Sequence, residues 1–227
     1  ESLFTDEGFK PDMVKIYPCT VIKSTPLYKW HKSGKYKPYS EKNLFDALIK
    51  MKSATPRYCR ISRLIRDIPT GDIEAGNAIT NLREYLSVEM EKQNLKCKCL
   101  RCREEGHIMK TLEQKNIKTL TPKLFVDEYK TTGGTEYFLS FEDSKRQVVF
   151  AFLRLRLLDD KSLTYIRELH TYGQLLDLGT KNKKASQHKG LGKKLVQEAE
   201  KISKKNKYKK ISVISGVGVR GYYRKMG

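Results

Sequence analysis

Apolar and polar positions change rhythm several times along this chain, and the changes divide it. Near the front, Met13-Val14-Lys15-Ile16-Tyr17 and Cys19-Thr20-Val21-Ile22 read as strands broken by Pro18. A polar loop follows over 27–39. Leu44, Phe45, Leu48, Ile49 and Met51 then recur at helical spacing behind Ser40, a residue suited to capping, and Pro56 follows the helix end. Residues 58–69 read as a strand in which Arg60, Arg63 and Arg66 stand at every third position, which does not fit a one-faced strand. Residues 81–91 read as a second helix. Strand, loop, helix, repeated, predicts βα units of an α/β fold.

From about residue 119 the texture becomes antiparallel β, with apolar runs over 120–129, 135–141, 148–157 and 164–172. Gly133-Gly134, Glu142-Asp143 and Asp159-Asp160 mark the turns. Gln187-His188-Lys189-Gly190-Leu191-Gly192, of the form Q-x-x-G-x-G, then opens a helix whose Leu191, Leu195, Ala199 and Ile202 share one side. Glycines in a turn entering a helix let a ligand approach the backbone, and the first helical N–H groups and the helix dipole favour an anion such as a pyrophosphate. A strand at 211–214 and the segment Tyr222-Tyr223-Arg224-Lys225-Met226-Gly227 follow.

Composition sharpens this picture. The 227 residues hold 46 Lys and Arg against 26 Asp and Glu, a net charge of +20. Such a balance suits a polyanionic partner, nucleic acid above all. The loop over 27–39 interleaves Lys29, Lys32, Lys35 and Lys37 with Tyr28, Trp30, Tyr36 and Tyr39, either a surface for phosphates and stacked bases or an ordinary helix and turn with packed aromatics. Hydrophobic residues make up 38%, enough for a real core. No apolar run reaches the length of a membrane span and no signal-peptide pattern opens the chain, so a soluble, cytoplasmic protein is expected. The chain starts without Met and stops inside a motif, as part of a longer protein would.

Cys97, Cys99, Cys102 and His107 form C-x-C-x2-C-x4-H, four ligands of the kind zinc takes in a closed structural site; a loose thiol cluster or an iron–sulfur site are the alternatives. Cys19 and Cys59 stand apart and are expected to be buried or half-buried thiols.

The strand meander, the Q-x-x-G-x-G turn, the following strand and the Tyr-Tyr-Arg-Lys-Met-Gly segment together resemble a GNAT acetyltransferase. The strings Lys15-Ile16-Tyr17-Pro18, Arg66-Asp67-Ile68-Pro69, Ile166-Arg167-Glu168-Leu169-His170-Thr171-Tyr172-Gly173 and Val213-Ile214-Ser215-Gly216-Val217-Gly218-Val219-Arg220 resemble the Elongator catalytic-subunit family. The cysteine cluster resembles the zinc loop of its archaeal and bacterial members. The resemblance implies three parts: residues 1–92 as the rear of a radical S-adenosylmethionine (SAM) domain, a partial TIM barrel; 93–118 as a zinc loop; and 119–227 as a GNAT domain with a mixed sheet. It implies an acetyl-CoA-dependent acyltransferase that forms 5-carboxymethyluridine at the wobble position of tRNA, with SAM and a [4Fe–4S] cluster as further cofactors. The cluster spacing C-x3-C-x2-C does not occur in these residues and is expected upstream, as a closing strand is after Gly227.

By the same resemblance, Glu168, Leu169, His170, Thr171, Gln187, Gly190, Leu191, Gly192, Lys193, Lys194 and Tyr223 bind acetyl-CoA. Tyr223 is expected beside the thioester sulfur and Tyr222 packing or meeting RNA; Glu168 and His170, on one face of a strand, are acid–base candidates or a satisfied buried pair. Lys29, Lys32, Arg60, Arg63 and Arg66 are candidates for phosphate contacts to the anticodon stem-loop. Homo-oligomers or Elongator-type partner subunits stay open. A lysine acetyltransferase acting on proteins is the alternative, disfavoured because cationic tails would be repelled; a tRNA-binding scaffold with a vestigial acetyl-CoA site is a third reading.

Overall fold

The computed structural model describes residues 2–106, 108, 120–172 and 190–227. It divides into two compact units, Glu1–Phe4 with Pro11–Arg101, and Thr5–Lys10 with Cys102–Gly227. Among the described residues no helix is long and apolar enough to cross a membrane.

After a single turn, α1 (Ser2–Thr5), the first unit begins with β1 (Met13–Lys15) and β2 (Thr20–Ile22), then α2 (Pro26–Lys32) and α3 (Glu41–Ala54). Ser40 caps α3, its hydroxyl accepting from the Asn43 amide at 3.3 Å. β3 (Arg60–Arg63) lies parallel to β1, with α3 in the crossover between them, while β4 (Ile73–Gly76) lies antiparallel to β2. α4 (Leu82–Lys92) buries Leu82, Leu86 and Met90, one residue per turn. With Val21, Leu48, Ile49, Cys59 and Ile61 these form the core of the unit.

Several expectations are corrected here. The stretch read as a polar loop opens with α2, because Pro26 in its first turn fixes a helical φ. The strand read over 58–69 is held only from Arg60 to Arg63, where the ladder with β1 ends, and β4 carries too little alternation to be seen. Cys59 is buried, but Cys19 is exposed, because the β2–β4 ladder begins only at Thr20. The Tyr36 hydroxyl hydrogen-bonds with the Cys19 thiol, which together with burial pushes that phenol up to about 12.

The second unit begins in α5 (Leu100–Arg103) and is built on a five-stranded sheet in sequence order: β5 (Lys123–Thr131), β6 (Gly134–Glu142), β7 (Val149–Leu158), β8 (Thr164–Thr171) and β9 (Ser212–Val213). The first four strands form an antiparallel meander. α6 (Leu191–Lys205) then crosses over so that β9 joins β8 in parallel, which makes the sheet mixed. A last short helix, α7 (Arg220–Arg224), follows β9.

The two-residue period of a strand sorts the faces. Tyr137, Leu139 and Phe141 of β6 and Leu153, Leu155 and Leu157 of β7 meet Leu191, Leu195, Val196 and Ala199 of α6 in one apolar cluster. The other face carries Glu136, Phe138, Ser140, Phe152, Arg154 and Arg156, all in register across β6 and β7. Near its end the Glu142 carboxylate, fully buried, accepts from Arg103 at 2.7 Å, from Ser140 at 2.7 Å and from Arg146 at 3.1 Å. Burial pushes this carboxyl up, but the Arg146 hydrogen bond, the Arg103 charge and the Ser140 hydroxyl outweigh it and hold it below its ordinary value.

Candidate functional site

The site grows from the start of α6. Gly190 holds the N-cap position at φ +88°, a left-handed conformation that favours glycine, and among the described residues no side chain caps the helix. The first intrahelical bond runs from the Lys194 amide to the Gly190 carbonyl at 3.0 Å, so the amides of Leu191, Gly192 and Lys193 stand before the helical ladder. Leu191 anchors the turn in the core, while Lys193 and Lys194 are exposed.

Gly192 is needed for a different reason. A Cβ there would lie 2.7 Å from the Tyr222 hydroxyl, 3.5 Å from Thr171 Cγ2 and 3.8 Å from Leu169 Cδ2. Three predicted site residues, Leu169, Thr171 and Tyr222, therefore meet above one buried glycine. Tyr222 stands edge-on to Tyr223, with centroids 5.3 Å apart, and Tyr223 packs against the apolar cluster. Burial raises both phenols above their ordinary value, so both are neutral hydrogen-bond donors near pH 7. The hydroxyl at the glycine turn belongs to Tyr222, not Tyr223.

Beside this turn β8 parts from β9. The two strands pair at Tyr165–Ser212 and Ile166–Val213, and the Ile214 amide donates to the Ile166 carbonyl at 2.9 Å. Past Ile166, Glu168 to Thr171 have no β9 partner among the described residues. At the same point β8 bulges: Leu155 pairs with Ile166 and Arg154 with Glu168, leaving Arg167 as the extra residue. Leu169 and Thr171 project toward α6. Glu168 and His170 share the opposite face, where Glu168 accepts from Arg154 Nε at 2.9 Å and His170 stacks on Phe152 at 5.8 Å and meets the tilted ring of Tyr172 at 4.5 Å. The structure thus brings together Leu169, Thr171, Gly190 to Lys194 and Tyr222, and turns the Glu168 and His170 side chains away from them.

The Cys97, Cys99 and Cys102 sulfurs lie within 4.8 Å of one another. Tetrahedral ligands on bonds of ~2.3 Å stand about 3.8 Å apart, so these thiols need only a small contraction to hold one metal ion. His107 and Gln187 lie outside the described residues. Of the candidate phosphate contacts, Lys29 and Arg66 are exposed; Lys32 donates to Glu74 at 2.6 Å, Arg63 pairs with Asp67 at 3.6 Å, and Arg60 is half-buried. Trp30, 57% exposed, stands beside Lys29 on α2.

The pairing of Arg154 with Glu168, and of Arg156 and Arg167 with Glu136, escaped the sequence reading. A signal existed in Phe152-Leu153-Arg154-Leu155-Arg156-Leu157, where two arginines two apart interrupt an apolar strand and require acids on a neighbouring strand.

A mixed sheet, a glycine turn at the start of its crossover helix and a strand parting beside that turn define an acetyl-CoA-type transferase domain. A family model described as Acetyltransferase (GNAT) family matches residues 108–227, and one described as Radical_SAM C-terminal domain matches residues 11–93. The chain belongs to the GNAT acetyltransferase family. It is similar to a tRNA uridine(34) acetyltransferase of Methanocaldococcus jannaschii, 46% identical over 100% of this chain and 43% of that protein. It is also similar to the Elongator complex protein 3 of Schizosaccharomyces pombe, 38% identical over 100% of this chain and 43% of that protein. Among solved structures, the archaeal Methanocaldococcus infernus Elp3 with an N-terminus deletion (1-46) matches with a TM-score of 0.84 at 42% identity, over 100% of this chain and 55% of that one. The chain therefore spans less than half the length of these two curated relatives, and the resemblance to the Elongator catalytic subunit holds along all of it.

Proposed function

We propose that this chain is the acetyl-CoA-binding portion of an acyltransferase that modifies uridine 34, the wobble position of tRNA, and that the whole enzyme forms 5-carboxymethyluridine with radical SAM chemistry. One observation carries the reading: a glycine turn opening a helix, a strand edge released from its neighbour and a tyrosine hydroxyl converge at Gly192. Acetyl-CoA, when bound, supplies a two-carbon group activated as a thioester. The amides at the start of α6 bind its pyrophosphate, with Lys193 and Lys194 adding charge and Gln187 as a further contact of the ligand. The backbone of Glu168 to Thr171 offers amides and carbonyls to the pantetheine, so Glu168 and His170 act through their main chain. Tyr222 donates a hydrogen bond into the site from above Gly192, and Tyr223 holds it there from the apolar cluster.

Cys97, Cys99 and Cys102, with His107 as fourth ligand, hold a structural zinc ion in this proposal. The C-x3-C-x2-C spacing of a radical-SAM [4Fe–4S] cluster does not occur in these 227 residues, and no step is assigned to such a cluster. The charge of +20 draws in the anticodon stem-loop, with Lys29, Lys32, Arg60, Arg63 and Arg66 at its phosphates and Trp30 available to stack on a splayed base, in a cytoplasmic setting.

The test measures CoA released from acetyl-CoA by the full-length protein with tRNA, with a basic peptide and with neither. Stimulation by tRNA alone is expected. Stimulation by the peptide alone would replace the substrate class.

A further inference from the structure

The sheet face turned away from α6 buries charge in a place of defined shape. Glu136, 2% exposed on β6, accepts from Arg156 Nη1 at 2.9 Å and from Arg167 Nε and Nη2 at 3.1 and 3.0 Å. Arg154, 2% exposed on β7, lies over the Phe138 and Phe152 rings at 5.2 and 5.3 Å while its Nε reaches Glu168 at 2.9 Å. Arg167 and Glu168 are consecutive, and in a regular strand they would point to opposite faces. The bulge puts both on one face, and there each meets its own buried counter-charge.

We propose that Glu136 and Arg154 are positioning residues that lock the β8 bulge and so hold the strand edge to which acetyl-CoA binds. Removing the bulge would swing either Arg167 or Glu168 toward α6, among Leu153, Leu155 and Leu195, where an unpaired charge is strongly disfavoured. The two ion pairs therefore select the bulged register over the regular one. A bulge bends its strand and increases the local twist, and β9 leaves β8 at Ile166, the residue before it. The edge of Glu168 to Thr171 stays open because the charges on the far side of the sheet fix its curvature. The lock rests on the acetyl-CoA reading for its purpose, but not for its existence.

The experiment uses the full-length protein with Arg154→Met, Arg154→Lys and Glu136→Gln. It measures the Kd for acetyl-CoA, the Kd for an anticodon stem-loop, kcat at saturating acetyl-CoA, and hydrogen exchange of the peptide spanning 164–172. Arg154→Met is expected to weaken acetyl-CoA binding roughly ten- to hundredfold, the usual scale for a misplaced binding edge, and to speed exchange in 164–172. Stem-loop affinity and kcat should stay within twofold, and Arg154→Lys should recover most of the loss. A merely structural role would lower the melting temperature and leave the acetyl-CoA Kd intact in the folded protein, which would overturn the lock. If Arg154→Met does not fold, Glu136→Gln, which keeps shape and acceptor, decides by the same measurements. If the parent protein does not bind acetyl-CoA, the ligand reading fails by itself; unchanged exchange over 164–172 in the variants would then sink the lock separately.

Discussion

Replacing Glu142 by Gln removes the charge at the centre of a deeply buried ion cluster in the second unit. The Glu142 side chain is 0% exposed and its partner Arg103 only 4%. Arg146, 20% exposed, keeps a two-pronged contact with Asp127 and should lose little. Arg103 then dominates the cost. Breaking one side of a buried pair costs about 3–5 kcal/mol, and since Gln still accepts hydrogen bonds the lower end, ~3 kcal/mol, is expected. At about 2–4 °C per kcal/mol this lowers the melting temperature by roughly 6–12 °C. The double change Arg103→Met with Glu142→Gln should recover at least half of the loss, because both members of the buried ion pair are then neutral. The pH dependence follows from the depressed carboxyl. Glu142 ionises more readily folded than unfolded, so its stabilisation is complete above the ordinary glutamate value and disappears as the pH falls through the lower folded value. Urea unfolding between pH 7 and pH 3 should therefore show a steeper loss of stability for the parent than for Glu142→Gln. Parallel curves, or simple addition of the two single-variant losses in the double variant, would refute the view that Glu142 is a buried charge neutralising Arg103.

Gly190→Ala should cost about 1–2 kcal/mol of stability through its left-handed φ and weaken acetyl-CoA binding, whereas Gly192→Ala should fold normally and lose binding by displacing Tyr222, as calorimetry would resolve. Tyr222→Phe should raise the KM for acetyl-CoA several-fold, while Tyr223→Phe, altering a ring packed on the core, should act mainly on melting temperature; the reverse order would exchange their roles. Metal analysis of purified protein should find about one zinc per chain, and Cys102→Ser should lose it along with part of the thermal stability; iron in its place would end the structural-zinc assignment. Trp30→Ala should reduce stem-loop affinity by about 1–3 kcal/mol without altering the slope against salt, whereas Lys29→Ala should reduce that slope by about one.

The second unit was largely legible because its rules are local. The apolar runs of β5 to β8 and the turn residues between them mark the strands, β6 and β7 being buried on both faces, and the helical spacing of Leu191, Leu195 and Ala199 reports the face that α6 buries. That Gly190 and Gly192 open a helix was also legible, from their place just ahead of the helical spacing. What sequence could not show depends on register. Nothing local says that Arg167 is the extra residue of a bulge, and without it Glu168 cannot be matched to Arg154 or Arg167 to Glu136. Which hydroxyl lies over Gly192 was hidden for a related reason: two adjacent aromatics on a short helix differ only in which one the packing turns inward. In the first unit the strands are three or four residues long, too short for a period to stand out, so β4 went unseen and the strand from Arg60 was drawn too long.

The first turn of α6 has no acidic residue and carries Lys193 and Lys194, the opposite of what a helix start prefers. The free protein therefore holds an electrostatic frustration where a capping carboxylate would ordinarily sit. On the proposed function an arriving pyrophosphate would serve as a cap, completing the secondary structure as well as filling a site. Part of its affinity would then be repulsion relieved, and the melting temperature should work as a gauge of occupancy. Charging this helix start with Asp or Glu would give a protein more stable in isolation and poorer at its task, which is why a helix so well buried along its length begins so badly.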